Sequence, residues 1–306
     1  MSTIKKELAA FIKAHTQEHF AMTPISMREG SQHTAWSQEL PKVPLARIID
    51  TVFTGCGEYD LPVRIYIPDT SRPLKVMVFY HGGGLAVDTV SVYDPICRRL
   101  ADATGYLVVS VEYRLAPENK YPAATHDALA AARQVFANLV ALHLPFIRDL
   151  TLCGDSAGGY LAAAVSAALQ NEDDIPLTHQ VLIYPCLDFT HQFPSVAENC
   201  NVTTGFTKQK LRWYFDQYFR PGDDRRQASP LFQPLTEKMP ATLVVTVESC
   251  PFRDEGREYV RRLQKLGVRA ESYHYENMVH SYLNFEKLCF DEICDTYHRI
   301  AQFLAK

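Results

Sequence analysis

Ser156 sits between glycines in "TLCGDSAGGYLAAAV", residues 151 to 165: an apolar run, then Gly154, Asp155, Ser156, Ala157 and Gly158, then an alanine-rich helical pattern. A strand that turns sharply into a helix lifts the serine hydroxyl to the strand tip. The same turn puts the backbone N–H of Ala157 at a helix N-terminus, facing any oxyanion that forms. The chemistry on offer is nucleophilic attack on a carbonyl. A second glycine cluster, "FYHGGGLAVD" at 79 to 88, follows another apolar run. Without side chains, Gly82 and Gly83 can bring their N–H groups close to a substrate carbonyl and complete an oxyanion hole with Ala157. No Gly-Lys-Ser/Thr follows and no G-x-G-x-x-G occurs, so phosphate-loop and dinucleotide readings fail on spacing. His81 reads as a brace for the loop.

A serine nucleophile needs a base. Of the eleven histidines, His280 in "NMVHSYLNF" is the only one C-terminal to Ser156 placed after the last predicted strand and outside a predicted element. His274 falls inside a strand and His298 inside a terminal helix. Serine, then acid, then histidine is the chain order of an α/β-hydrolase triad.

The elements that must position these residues alternate. Apolar runs at 62–68, 74–80, 106–112, 149–155, 179–185, 241–249 and 270–276 predict strands, and helical patterns lie at 93–104, 123–141, 157–170, 254–267 and 287–305. Apolar strands separated by helices predict a mostly parallel sheet with helices on both faces. Two pieces break the alternation: residues 1–48, with an amphipathic helix around Leu8, Phe11 and Ile12 followed by a polar tail, and 188–230, an aromatic-rich insertion too long for an ordinary connection. The expectation is an α/β core over 49–187 and 231–306, with 1–48 and 188–230 together forming a helical lid, although core helices are an equally good reading of the aromatic part. Its composition hints at an apolar, aromatic-lined pocket.

With 306 residues, 47% hydrophobic and a formal charge of -4, the chain has an ordinary soluble composition without a nucleic-acid or anionic-membrane surface. Charged residues interrupt the apolar positions of 1–22, so no signal peptide is expected, and no run of eighteen apolar residues predicts a membrane span. The expected setting is cytoplasmic, with the eight cysteines as free thiols rather than a zinc site. The chemistry is complete in side chains and backbone amides, so no cofactor or metal is implied.

HGGG at 81–84, "YRLAPE" at 113–118, "YPAA" at 121–124, GDSAGG at 154–159, "PFRDEG" at 251–256 and the His280 segment, all in register, resemble the hormone-sensitive-lipase-like esterases, particularly their bacterial acetyl-esterase-type members. The resemblance runs from about residue 49 to the C-terminus. It implies an α/β-hydrolase fold, a serine carboxylesterase acting on small esters with short acyl chains, a lid from the two irregular pieces, and pairing of the last strands into a homodimer. The departure lies in the catalytic strip: the family's aspartate falls on Cys250, and the glycine after the histidine is Ser281 here.

That aspartate holds the imidazole in the productive tautomer and stabilises the imidazolium; its loss lowers turnover about 10⁴-fold, about 5.5 kcal/mol. Three carboxylates are candidate substitutes. Glu248 ranks first, because strand periodicity puts it on the face of Cys250. Asp188, at a neighbouring strand end, ranks second, and Asp254 suits a helix-start role better. Each could instead be a local hydrogen-bond partner. Two readings compete: an esterase slowed by Cys250 or rescued by a relocated acid, and a non-catalytic ligand-binding or sensing protein on the same fold. Amide or lactone hydrolysis would use the same machinery.

Overall fold

The computed structural model describes residues 4–16, 21–57, 60–70 and 72–306; residues 17–20, within the expected N-terminal lid piece, fall outside them. Eight strands form one sheet: β1 (Arg47–Phe53), β2 (Leu61–Ile67), β3 (Leu74–Tyr80), β4 (Leu107–Val111), β5 (Phe146–Asp155), β6 (Leu177–Ile183), β7 (Ala241–Ser249) and β8 (Ala270–Val279). Their order is β1-β2-β4-β3-β5-β6-β7-β8. Pairing is antiparallel for β1 with β2 and β2 with β4, and parallel from β4 through β8.

The helices are α1 (Lys6–His15), α2 (Pro24–Gln38), α3 (Asp94–Thr104), α4 (Ala123–Ala141), α5 (Ala157–Leu169), α6 (Pro194–Asn199), α7 (Lys208–Tyr218), α8 (Arg225–Ala228), α9 (Arg253–Lys265) and α10 (Glu286–Leu304). β4 is buried at every position and β3 at all but Lys75, the pattern of strands covered on both faces. α3 packs on α10, and α4 packs on α5.

Two elements escaped the sequence reading. β1 is an edge strand with only Phe53 buried, so its apolar signal is weak. α2 occupies the stretch read as a polar tail. Of its residues only Gln38 is buried, and the available signal was its start, where Thr23 and Ser26 form a reciprocal capping box ahead of Pro24.

The two irregular pieces meet. α1 packs on the turn at 202–204, where Ile12 lies against Gly205, and Lys5 ties α1 to Glu292 of α10 at 2.9 Å. α2 is fastened to the glycine loop. Arg28 donates from Nε to the Ala86 carbonyl at 2.9 Å and from Nη2 to the Ala116 carbonyl at 3.0 Å, and Ser31 bonds Asp88 at 2.5 Å.

Charged hydrogen bonds of this kind contribute about 1.5–3 kcal/mol. Arg28→Ala is therefore expected to lower the thermal midpoint and expose α2 to limited proteolysis; an unchanged midpoint and digestion pattern would show that α2 is held by other contacts.

Candidate active site

β5 delivers Ser156 to the sheet's carboxyl edge on a strained turn. Its φ of 53° and ψ of -116° lie where L-residues are rarely found, and such strain persists only when neighbours over-determine it. The neighbours are backbone. A Cβ on Gly158 would overlap the Tyr80 carbonyl, and one on Gly154 would overlap the Gly158 carbonyl, so both positions must lack a side chain. The close fit brings the end of β3, and with it the loop carrying Gly82 and Gly83, against the start of α5, which carries Ala157. At Gly82 a Cβ would come within 2.8 Å of Asp155 Oδ2, and Gly83 has a φ of 97°, so glycine is required at both.

His81 braces this loop, as expected. It is fully buried, its Nδ1 lies 2.8 Å from the Gly82 carbonyl, and its ring stacks on Tyr113 at 4.3 Å. Tyr113 in turn donates to the His81 carbonyl at 2.7 Å. Burial pushes the imidazole down to about 4, keeping it neutral. Asp155, beside the nucleophile, receives the Tyr93 hydroxyl at 3.0 Å, and burial lifts its carboxyl to about 7. Sequence reasoning missed this support, although Asp155 stood inside the motif it used.

Register brings the histidine in. Ser249 at the end of β7 pairs with Val279 at the end of β8, and the His280 N–H donates to the Ser249 carbonyl at 3.1 Å. Cys250 and His280 are thus the first residues beyond two paired strand ends. His280 Nε2 lies 2.9 Å from Ser156 Oγ, and His280 Nδ1 lies 3.1 Å from Cys250 Sγ. The three side chains form one line: hydroxyl, imidazole, thiol. Ser281 sustains the turn at a φ of 65°, a left-handed conformation that costs a non-glycine residue roughly 1 kcal/mol.

None of the three substitute acids is the partner of Nδ1. Glu248 bonds Arg253 at 2.8 Å and His274 at 3.1 Å. Periodicity misled here because β7 ends at Ser249, after a register shift between Val247 and Ser249, so alternation does not extend to Cys250. Asp188 closes its own turn, accepting from the N–H of Thr190 at 2.7 Å. Asp254 accepts from the Ser195 N–H at 3.0 Å and pairs with Arg253 at 2.8 Å.

Cys250 is fully buried, and burial raises its thiol well above the ordinary cysteine range; the Phe252 N–H, 3.3 Å from Sγ, works in the opposite direction. His280 is also buried and is held down to about 3, first by burial and then by the charge of Lys210. The pair is neutral. A thiol proton directed at Nδ1 leaves the imidazole proton on Nε2, facing Ser156, where the ring cannot act as a base. The opposite tautomer is productive but rests on sulfur, a weak acceptor.

A cavity of about 430 Å³ opens over Ser156 and His280. Gly83, Gly84 and Ala157 reach it from the core; Met27, Ser31 and His33 from α2; Phe206, Lys210 and Tyr214 from the insertion. The expected aromatic wall is present, but two charged side chains, Lys210 and Asp88, share it. Among the described residues no group of three or more His, Cys, Asp or Glu side chains could hold a metal ion, and no helix is long and apolar enough to cross a membrane.

A family model described as the alpha/beta hydrolase fold matches residues 77–284. Carboxylesterase NlhH of Mycobacterium tuberculosis is 34% identical over 253 residues, covering 79% of this chain and 77% of the relative. The ethyl acetate hydrolase of Pseudomonas putida is 32% identical, covering 77% and 76%. Among solved structures, the hyperthermophilic esterase of Pyrobaculum calidifontis superposes with a TM-score of 0.90 at 31% identity, covering 99% of both chains. With the family model matched over two thirds of its residues and an esterase structure superposing over 99% of both chains, the chain belongs to the α/β-hydrolase fold family and, within it, to the hormone-sensitive-lipase-like esterases.

Proposed function

We propose that Ser156 and His280 carry out the hydrolysis of small, short-chain carboxylic esters through an acyl-enzyme. The observation that carries this reading is the 2.9 Å contact between Ser156 Oγ and His280 Nε2 on the floor of the cavity. Ser156 Oγ attacks the ester carbonyl while its proton passes to Nε2. The N–H groups of Gly82, Gly83 and Ala157 hold the oxyanion. As the tetrahedral intermediate collapses, His280 returns the proton to the departing alkoxide, and a water activated by the same nitrogen then releases the acid. The segments 1–48 and 188–230 act as the lid, as their shared lining of the cavity suggests.

Cys250 occupies the position of the orienting acid without supplying a charge. The imidazolium that forms during attack therefore meets a neutral thiol, and turnover is slow. β8, at the edge of the sheet, is the strand on which a second copy would pair. The eight unpaired cysteines suit a reducing, cytoplasmic setting.

A fluorophosphonate is expected to label Ser156 in the wild type and to leave Ser156→Ala unlabelled; folded protein that resists labelling would remove the esterase reading. Initial rates on p-nitrophenyl butyrate test the thiol's role. Cys250→Asp is expected to raise kcat by up to about 10⁴-fold, and a gain under about tenfold would mean that His280 is oriented by something else. The pH profile gives an independent check. His280, held at about 3, remains unprotonated through the mildly acidic range, so the acid limb of kcat/KM should lie below about pH 4. In Cys250→Asp the new carboxylate favours the imidazolium and should move that limb upward, toward ordinary histidine.

A further inference from the structure

Lys210 is a half-buried cation in the catalytic cavity with no ion-pair partner among the described residues. It stands in the first turn of α7, and its ammonium lies 5.7 Å from the centre of the Phe206 ring. Phe206 meets the His280 imidazole edge-on at 5.1 Å, so the charge is held one ring away from the base. Among the described residues no carboxylate lies within ion-pair distance of Nζ. The opposite charge acting on it is Asp88, one oxygen of which accepts the Ser31 hydroxyl at 2.5 Å. Burial weakens the lysine's hold on its proton while Asp88 strengthens it. The other titratable groups lining the cavity are His15, His33, His280, Tyr93, Tyr214 and Cys186.

A half-buried ammonium without a hydrogen-bonded anion gives up part of its hydration, and next to a base that must become cationic its charge is unfavourable a second time. Both penalties vanish if the substrate brings the anion. We infer that Lys210 is a specificity determinant that receives a carboxylate carried on the acyl or the alcohol part of the substrate, making half-esters and acyloxy acids the preferred class. The inference rests on the esterase reading and adds a substrate class to it. The incoming carboxylate does more than anchor the ester: by pairing with Lys210 it removes a positive potential from His280 as the imidazolium forms, so the gain appears in kcat as well as in KM. This effect partly offsets the missing charge at Cys250.

The test compares esters that differ in charge at one end. For the alcohol side these are 4-acetoxybenzoate, the neutral 4-acetoxybenzamide and the cationic 4-(trimethylammonio)phenyl acetate. For the acyl side they are the mono-4-nitrophenyl ester of adipic acid and 4-nitrophenyl hexanoate. Rates are read in wild type, Lys210→Met and Lys210→Glu, each also in a Cys250→Asp background to secure a measurable signal. Because leaving groups differ within a series, the decisive quantity is the anion-to-neutral ratio of kcat/KM in each protein relative to wild type. A charged hydrogen bond of this kind predicts that the ratio falls roughly ten- to hundredfold in Lys210→Met for at least one series and further in Lys210→Glu, which should favour the cationic ester. The loss should shrink as salt is added.

Ratios that do not move in either series would overturn the inference, as would a wild-type preference for the cationic ester that survives Lys210→Met. Failure of the esterase reading is separable. If no ester is turned over even with Cys250→Asp, calorimetric binding of 4-acetoxybenzoate still reports on the anion site: tighter binding to wild type than to Lys210→Met upholds it, and equal binding overturns it.

Discussion

Gly158 can have no side chain because the Tyr80 carbonyl occupies the place where a Cβ would stand. That contact joins the end of β3 to the start of α5 with backbone against backbone. The loop after β3 and the turn after β5 consequently share one small volume at the sheet's carboxyl edge. The strained conformation of Ser156, the approach of Gly82 to Asp155 and the bracing of the loop by His81 and Tyr113 all presuppose this fit. Parallel pairing of β3 with β5 supplies the alignment, since Tyr80 and Gly154 are register partners. The packing of two strand ends therefore brings together, beside Ser156, glycine-bearing segments more than seventy residues apart.

The histidine reaches that site through the other half of the sheet, and there geometry and electrostatics part company. The line from Ser156 through His280 to Cys250 has the spacing of a complete relay. Its charge is incomplete. A carboxylate in the place of Sγ would fix the tautomer and favour the imidazolium, whereas a buried thiol favours a neutral ring. The carboxylates nearest in sequence do not compensate, because each is held by a stronger local claim: Glu248 by Arg253 and His274, Asp254 by Arg253 and Ser195, Asp188 by the turn it closes. Glu255, buried two residues past Arg253, is likewise engaged with the backbone at Leu187 at 2.7 Å. The acids of this region maintain loops.

Charge enters the cavity from the opposite wall. Lys210 acts on His280 with the same sign as the proton that the ring must accept, and Asp88 accepts a hydrogen bond from Ser31 of α2. Both residues come from segments outside the repeating strand and helix pattern or at its margin. This is the usual division in α/β enzymes: the sheet presents the reacting groups and irregular segments decide what can approach them.

Much of this was legible in the linear chain. The strand-turn-helix around Ser156, the glycine loop, the placement of His280 and the alternation that predicts a parallel sheet all depend on local rules: glycine where no side chain fits, apolar runs where both faces are covered. The vacancy at Cys250 was legible only through the family resemblance, whose pattern implies an aspartate at that position. What the sequence could not express were relations between distant segments. It ranked Glu248 by strand alternation, and only the register of β7 against β8 showed where that alternation ends. α2 stayed hidden because a helix that buries one residue leaves almost no periodic trace, and its purpose lies in Arg28 and Ser31 reaching the glycine loop. Lys210 stood in the sequence as one basic residue among many. Its place one ring away from His280 is a product of tertiary packing, which no spacing rule contains.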